Sequence, residues 1–489
     1  MIDFKPRLAA ALIIAFCGMS VVPQVAPGAD GDFFRDSIVA DLHCDALFQL
    51  SRKDRKVKPG DLMCGPDRLA AGNVDAQVFV IWVPPDSADP KAVAADQVRA
   101  FRNVLLSRKG RLEQARTAED VRRISSRGKI AAMLGLEGCT PLGGEPDALA
   151  EFASQGIVYV SLTWNETNDF GQGNSGRKPA GITARGRRLV ELANSLRVIP
   201  DVSHASPSTF WGVMTTSTRP VIASHSNLAS VFRHARNIDD AQLWAIAESG
   251  GLVGLNLFSR FISDTEPVAS MADLLRHANH VKAVVGASHL AIGSDFDGAR
   301  YFVAGLEDSS RMGNLAAALL EDGWTKADVQ AVLGGNFLRV LDATASDERS
   351  PSVTHMPAQV ISVTTDHQGG PVWAVADSDT TTAWIPEGPG DHSVTVSAEG
   401  PGVDRVSVCG ASPGIAAVGY ELSVQALCEG QPVGQSGMIA VGDAVRPFRL
   451  DLPELKDCRS PSVRLALPMP PTGQVGPRLS EVVLERRVR

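Results

Sequence analysis

An α/β fold is what the sequence predicts: a (β/α)8 barrel of the TIM type, followed by a smaller all-β sandwich. Three observations carry the prediction. Short apolar, β-branched runs alternate with longer stretches of helical composition between residues 37 and 346, as in a parallel sheet with crossover helices. The runs number eight, and eight such units over about 310 residues suit a closed barrel, which takes about 250 residues plus insertions. After Ala345 the composition turns polar and no long helical pattern follows.

Taken in order, residues 1–29 read as a secretory signal peptide. Lys5 and Arg7 precede the apolar run 8–22, and Ala26 and Gly28 supply small residues at a cleavage-like site. Export to the periplasm or the medium follows from that reading. An uncleaved signal anchor and lipid attachment at Cys17 are the lesser alternatives, because the bulky Phe16 disfavours lipidation. The strand candidates are residues 37–41, 74–83, 130–136, 157–163, 198–202, 220–224, 251–257 and 290–293. Helical stretches at 93–108, 183–196, 239–249, 271–285 and 314–321 lie between or after them. The barrel domain is placed at 33–346, a polar linker at 347–356 and the β-rich domain at 357–489. A doubly wound open sheet is the competing architecture, but no glycine-rich dinucleotide fingerprint follows the first strand.

Composition narrows the function less than it narrows the class. With 47 Lys+Arg against 55 Asp+Glu the net charge is -8, and 44% hydrophobic residues rule out a disordered chain. No long basic block occurs, which argues against nucleic acid as a partner. Beyond the leader, Cys44, Cys64, Cys139, Cys409, Cys428 and Cys458 form an even set with no CxxC pair, so disulfides are permitted and a cysteine-based zinc site is not suggested. Pairing within each half of the chain would leave one free thiol per half.

The chemistry-bearing residues sit where the strands end. His43 and Asp45 follow the first strand, Glu137 the third, His204 the fifth, His225 the sixth and Asp295 the eighth. In a barrel these positions share one face, where catalytic residues collect. His43 and Asp45 form an H-x-D pair whose side chains point the same way on extended backbone, with Cys44 opposed. A histidine bonded to a nearby carboxylate is the plain alternative for that pair. Glu137, between Leu136 and Gly138, has the two oxygens needed to bridge two divalent cations. One cation would take His43, Asp45 and Glu137, and the other Glu137, His204 and His225; imidazoles with carboxylates suit zinc. Asp295 could carry a proton, with Asp297 as its competitor and turn capping as the plain alternative for both. Arg236, ahead of a helical stretch, could hold a carboxylate.

These residues resemble the membrane (renal-type) dipeptidase family, peptidase family M19, a branch of the amidohydrolase-like metal barrels. The resemblance covers about residues 35–345 and rests on Asp41-Leu42-His43-Cys44-Asp45, Leu136-Glu137-Gly138, Leu162-Thr163-Trp164-Asn165, Asp201-Val202-Ser203-His204, Ser224-His225-Ser226, Arg236-Asn237 and Gly293-Ser294-Asp295-Phe296-Asp297-Gly298. It implies a two-zinc dipeptidase using a metal-bridging hydroxide, with His43, Asp45, Glu137, His204 and His225 as ligands and Glu137 as bridge. It further implies Asp295 as the proton shuttle and Arg236 as the partner of the dipeptide carboxylate. Two departures touch substrate binding. Trp164 stands where some members carry a histidine that polarises the scissile carbonyl, and Phe261 stands where a hydrogen-bonding tyrosine is expected. They keep open a binuclear hydrolase acting on another amide, a lactam or an ester.

In the β-rich domain, alternating segments at 393–398, 405–408, 421–426, 448–452, 463–467 and 481–484 predict antiparallel strands. The loop at 376–384 resembles that of a discoidin-like, galactose-binding-type module, which implies a carbohydrate or cell-envelope ligand. The reading of another class is therefore a non-catalytic envelope-binding protein whose barrel only holds metal. A homodimer is left open as a partner.

Overall fold

A computed structural model describes residues 29–346, apart from 55, 108–109, 176–180 and 266, together with the strands from His355 to Arg487 and a few residues between them. The leader at 1–28, the linker at 347–354 and the discoidin-like loop at 376–384 lie outside the described residues.

The first part of the chain forms a closed parallel barrel. Its strands are β1 (Ala40–Cys44), β2 (Ala76–Trp82), β4 (Ile130–Glu137), β5 (Ile157–Ser161), β6 (Ile199–Asp201), β7 (Ile222–Ala223), β8 (Leu252–Leu255) and β9 (Leu290–Ile292). They pair in chain order, with β1 beside β9 and β2 beside β4 closing the ring. The remaining strand, β3 (Leu112–Gln114), pairs with the start of β4, below the point where β5 takes over at Leu134. Three residues with two polar side chains gave no strand signal, so β3 is an addition to the predicted set.

Strand limits move for local reasons. The first strand lies three residues later than predicted, because the Val39 amide donates to Asp75 and the Ser37 amide to Phe34, outside the barrel ladder. His43 is therefore inside β1 rather than beyond it. β7 shrinks to two residues: Pro220 has no N–H, and the Val221 amide donates to Ser249 Oγ at 3.1 Å. The helices Pro90–Ser107, Ala184–Leu196, Asp240–Glu248, Met271–Val284 and Met312–Glu321 occupy the predicted helical stretches. Asp239 caps the third of these: the Gln242 amide donates to its side chain at 2.8 Å and its own amide donates back to Gln242 Oε1 at 3.0 Å.

Period-two alternation decides what faces the axis. Val78, Val80, Ala131, Met133, Tyr159, Ile199, Ile222 and Leu252 fill the interior, while Phe79, Ile81, Leu134 and Leu136 join helix residues such as Phe101 and Val104 in an outer core. Each large apolar side chain so enclosed contributes about 1.5–3 kcal/mol relative to exposure. Continuing Ala131, Met133 and Gly135 by one step aims Glu137 inward. On β1 a bulge changes the phase. Asp41 pairs with Gln77 but Cys44 with Phe79, so β1 holds one extra residue there. Leu42 consequently belongs to the interior and Cys44 to the outer core, leaving His43 and Asp45 on the inside.

The C-terminal part is all β, as predicted. Its strands form two antiparallel sheets, of four and six strands among the described residues, and each of the six predicted segments falls on a strand. Cys428 and Cys458 are joined by a disulfide. Cys44, Cys64 and Cys139 are all free and buried, so the barrel keeps three thiols rather than the one that pairing within it would leave. Cys139 donates to Ser161 O and Cys64 to Asp297 Oδ2, which gives two of these thiols local partners. No helix among the described residues is long and apolar enough to cross a membrane.

Candidate metal centre

At the C-terminal end of the barrel the residues picked from strand ends converge. Glu137 Oε1 lies 2.9 Å from His204 Nε2 and 3.6 Å from His225 Nε2, and Glu137 Oε2 lies 3.5 Å from His43 Nε2. Asp45 Oδ2 is 3.7 Å from His43 Nε2. Ligand-capable atoms of His43, Glu137 and His225 fall within 4.8 Å of one another, as do those of His43, Asp45 and Asp295. Besides these contacts, the His225 ring lies beside that of His43, their centroids 3.7 Å apart, and Asp295 joins His43 and Asp45.

The second contact of each imidazole occupies its Nδ1. The Tyr159 hydroxyl donates to Leu42 O at 3.0 Å, so at 2.9 Å it accepts from His43 Nδ1. His204 Nδ1 is 2.8 Å from Asn165 Oδ1, which can only accept. The Ser224 hydroxyl donates to Asp201 Oδ2 at 2.8 Å and so accepts from His225 Nδ1 at 2.8 Å. In this arrangement the Nε2 atoms of all three face Glu137, where each would offer its lone pair to a bound cation. His204 Nε2 and His225 Nε2 are 3.0 Å apart, a separation that two lone pairs tolerate only around a cation, and His43 Nε2 is buried with no hydrogen-bond partner. The donor set therefore fits a divalent cation, and hydrogen bonding at the far nitrogen of a ligating histidine is the usual support for one.

Behind this layer, two buried carboxylates act as anchors. Asp201 accepts from the hydroxyls of Ser161, Ser203 and Ser224 and from the Ser224 amide, tying β5, β6 and β7 together below the histidines. Asp41 does the same between β1 and β9, accepting from the Ser294 hydroxyl at 2.6 Å and its amide at 2.8 Å. Gly135 is required where it stands, since a Cβ there would lie 2.7 Å from the Tyr159 ring. Tyr159→Phe is expected to lower metal affinity about 10- to 100-fold with the fold retained. Titration of the chelated protein with zinc, alongside thermal unfolding, checks it; unchanged affinity would remove Tyr159 from the support of His43.

The electrostatics follow from burial and close charges. Burial alone would raise the Glu137 carboxyl, but the neighbouring His43 and His204 hold it far below the usual carboxylate range. Burial would lower His43, and the Glu137 charge overrides this and raises it to about 9. Burial lowers His204 to about 4, with Arg236 adding to the effect, and burial with His43 depresses His225 as well. Asp295 is raised by burial, against the opposing pull of His43.

Asp295 is held in a left-handed backbone conformation, φ 66°, which aspartate tolerates better than most residues. Its Oδ2 accepts from Asn256 Nδ2 at 2.9 Å. Asp297, the competing proton carrier, faces away: it accepts from the Met63 amide at 2.9 Å and the Cys64 amide at 3.2 Å, and so anchors a loop. Its separation from Asp295 was not visible in the sequence, because it depends on two successive left-handed aspartates, φ 66° and 67°.

The centre opens into a cavity of about 700 Å³. Arg236, Trp164 and Phe261 all line it, together with Asp45, Glu137, His204 and Asp295. Arg236 is buried and donates to the carbonyl oxygens of Ser203 and His225, while its Nε has no partner. Burial lowers its pKa to about 10. Its guanidinium lies 5.4 Å from the Phe261 ring centroid, so Phe261 supports the arginine as well as forming the wall. Trp164 stands 5.0 Å from Trp82 and 6.0 Å from His204 between ring centroids. Sequence reasoning gave no role to Tyr159, Asn165, Asp201, Ser224 or Asn256, although Asn165, Asp201 and Ser224 lie within the motifs that carry the family resemblance. Asn165 and Ser224 flank residues it did select; Tyr159 reads as an ordinary core aromatic until the fold sets it beside His43.

The family profile "Membrane dipeptidase (Peptidase family M19)" matches residues 31–352. The chain is 32% identical over 247 residues to Dipeptidase tcpJ of Claviceps purpurea, covering 50% of this chain and 58% of that one. It is 31% identical over 303 residues to Dipeptidase 3 of Rattus norvegicus, covering 60% and 61% respectively. The match therefore spans about three fifths of the length of these curated relatives. Among solved structures, a metallo peptidase from Rhodobacter sphaeroides liganded with a phosphinate mimic of the dipeptide L-Ala-D-Ala is 28% identical, with a TM-score of 0.58, over 63% of this chain and 100% of that chain.

Proposed function

Because the chain belongs to the membrane dipeptidase family, peptidase family M19, we propose that it is a metal-dependent dipeptidase that hydrolyses the peptide bond of free dipeptides. The observation that supports this most strongly is the convergence of three imidazole Nε2 atoms on Glu137 at the floor of a cavity that also holds Arg236 and Asp295. Two divalent cations held by His43, Asp45, Glu137, His204 and His225, with Glu137 as bridge and zinc the metal this donor set suits, would bring the pKa of water close to neutrality and supply the nucleophile.

The rest falls to the chain's own residues. Asp295, oriented by Asn256, is placed to take the proton from the attacking water and deliver it to the departing amine as the C–N bond breaks. Arg236 has spent two of its five N–H groups on backbone carbonyls, which leaves Nε–H and others for the substrate carboxylate. Trp164 offers an indole N–H but no imidazolium charge, so polarisation of the scissile carbonyl rests on the metal centre. Trp164 and Phe261 are also what favours the second reading, hydrolysis of another amide, a lactam or an ester.

A panel of free dipeptides, their C-terminal amides, N-acyl amino acids and lactones, combined with metal analysis, tests the assignment. The expected result is close to two metal ions per chain, cleavage of free dipeptides over their C-terminal amides, and loss of turnover after chelation. Faster turnover of N-acyl amino acids or lactones would move the assignment to the second reading. Glycan binding with no turnover of any compound would leave the non-catalytic one. The basic and apolar leader supports export to the periplasm or the medium, and the discoidin-like loop supports a carbohydrate or envelope ligand for the all-β part.

A further inference from the structure

The mouth of the cavity is cationic. The acidic residues that line the cavity are Asp45, Glu137 and Asp295, all of them at the metal centre. Nearer the solvent the charged lining residues are Arg260 and Arg300, both exposed. Neither has an ion-pair partner among the described residues, in a chain whose net charge is -8.

The backbone brings together the two segments that carry these arginines. Phe258 and Phe302 form an antiparallel bridge, and the Ser259 amide donates to Tyr301 O at 2.8 Å. Beyond Ser259 the chain turns into a short 3-10 helix, Ser259–Phe261, so Arg260 leaves this bridge as Arg300 enters it from the other segment, and both side chains line the cavity mouth. Two like charges at one cavity mouth repel each other, and an anion seated there relieves that repulsion. Phe261, next to Arg260, carries Arg236 at 5.4 Å from its ring centroid, so the pair adjoins the wall assigned to the substrate's main-chain carboxylate.

Resting on the dipeptidase reading, we propose that Arg260 and Arg300 select substrates with a second anionic group, namely dipeptides whose C-terminal residue is Asp or Glu. The main-chain carboxylate goes to the buried Arg236, and the side-chain carboxylate to the paired arginines at the mouth. The exposed pair acts through a screened attraction, so it affects capture of the substrate more than the chemical step.

The test uses the metal-loaded full chain with Ala-Glu and Ala-Gln, which are nearly isosteric and differ by one charge, in both configurations of the second residue. The expected kcat/KM ratio of Ala-Glu to Ala-Gln is about tenfold, carried mainly by KM and shrinking as salt is raised from about 0.01 M to 1 M. In an Arg260→Ala/Arg300→Ala variant the ratio should fall to near one, and in Arg260→Lys/Arg300→Lys most of it should survive. A ratio near one in the parent protein, or a preference that persists in the alanine variant, overturns the proposal. Calorimetric binding of the two dipeptides is measured in parallel. If neither is hydrolysed the dipeptidase reading falls, while the ratio of their dissociation constants still decides whether the arginine pair recognises the added charge.

Discussion

Replacing Asp295 with Asn is expected to lower kcat by about 100- to 10,000-fold, while metal content stays close to that of the parent protein. The substitution keeps shape and removes only the ability to gain and lose a proton. Asn256 Nδ2, 2.9 Å from Asp295 Oδ2, can still donate to an amide oxygen, so orientation is preserved. The left-handed backbone at 295, φ 66°, is also one that asparagine accepts. Steady-state kinetics with metal analysis on the same preparation decide the matter. Because Asp295 groups within 4.8 Å of ligand atoms of His43 and Asp45, loss of metal together with activity would make it a ligand instead, and retained activity would end the shuttle role.

Glu137→Gln should be more disruptive: metal content falls to one ion per chain or fewer, and turnover drops by at least about 1,000-fold. Glu137 is the carboxylate that approaches all three imidazoles, at 2.9, 3.5 and 3.6 Å. An amide in its place has no charge to hold a cation and would turn N–H donors toward the lone pairs of His204 and His225. Its effect also spreads to His43, whose elevation to about 9 depends on the Glu137 charge. Elemental analysis after dialysis, followed by assay with zinc added back, measures both losses. A variant that kept two metals and normal turnover would exclude a bridging role for this residue.

The two substitutions differ in how plainly the sequence announced them. Glu137 ends a long apolar run and sits before a glycine, and its inward direction follows from period two once Ala131 and Met133 are taken as interior. Asp295 and Asp297 lie two apart in one glycine-rich turn, and alternation alone would put both on the same side. Two left-handed residues break that alternation, so one carboxylate enters the cavity and the other anchors the loop at Met63 and Cys64. The H-x-D pair posed a milder version of the problem. Its side chains face inward as expected, but only because a bulge in β1 shifts the phase between Leu42 and Cys44.

By itself the sequence determined the class of fold, the order of the strands, and the identity of the residues at their C-terminal ends. These are local properties: periodicity, turn residues and the composition of short runs are written in neighbouring positions. What the tertiary structure decided was every relation across the barrel. It set His225 beside both His43 and His204, the Nδ1 partners Tyr159, Asn165 and Ser224, and the anchoring of three strands by Asp201. It also brought Arg260 and Arg300 to one cavity mouth. Each of these depends on register and distance between segments tens to hundreds of residues apart, and those quantities exist only once the eight strands have closed on one another.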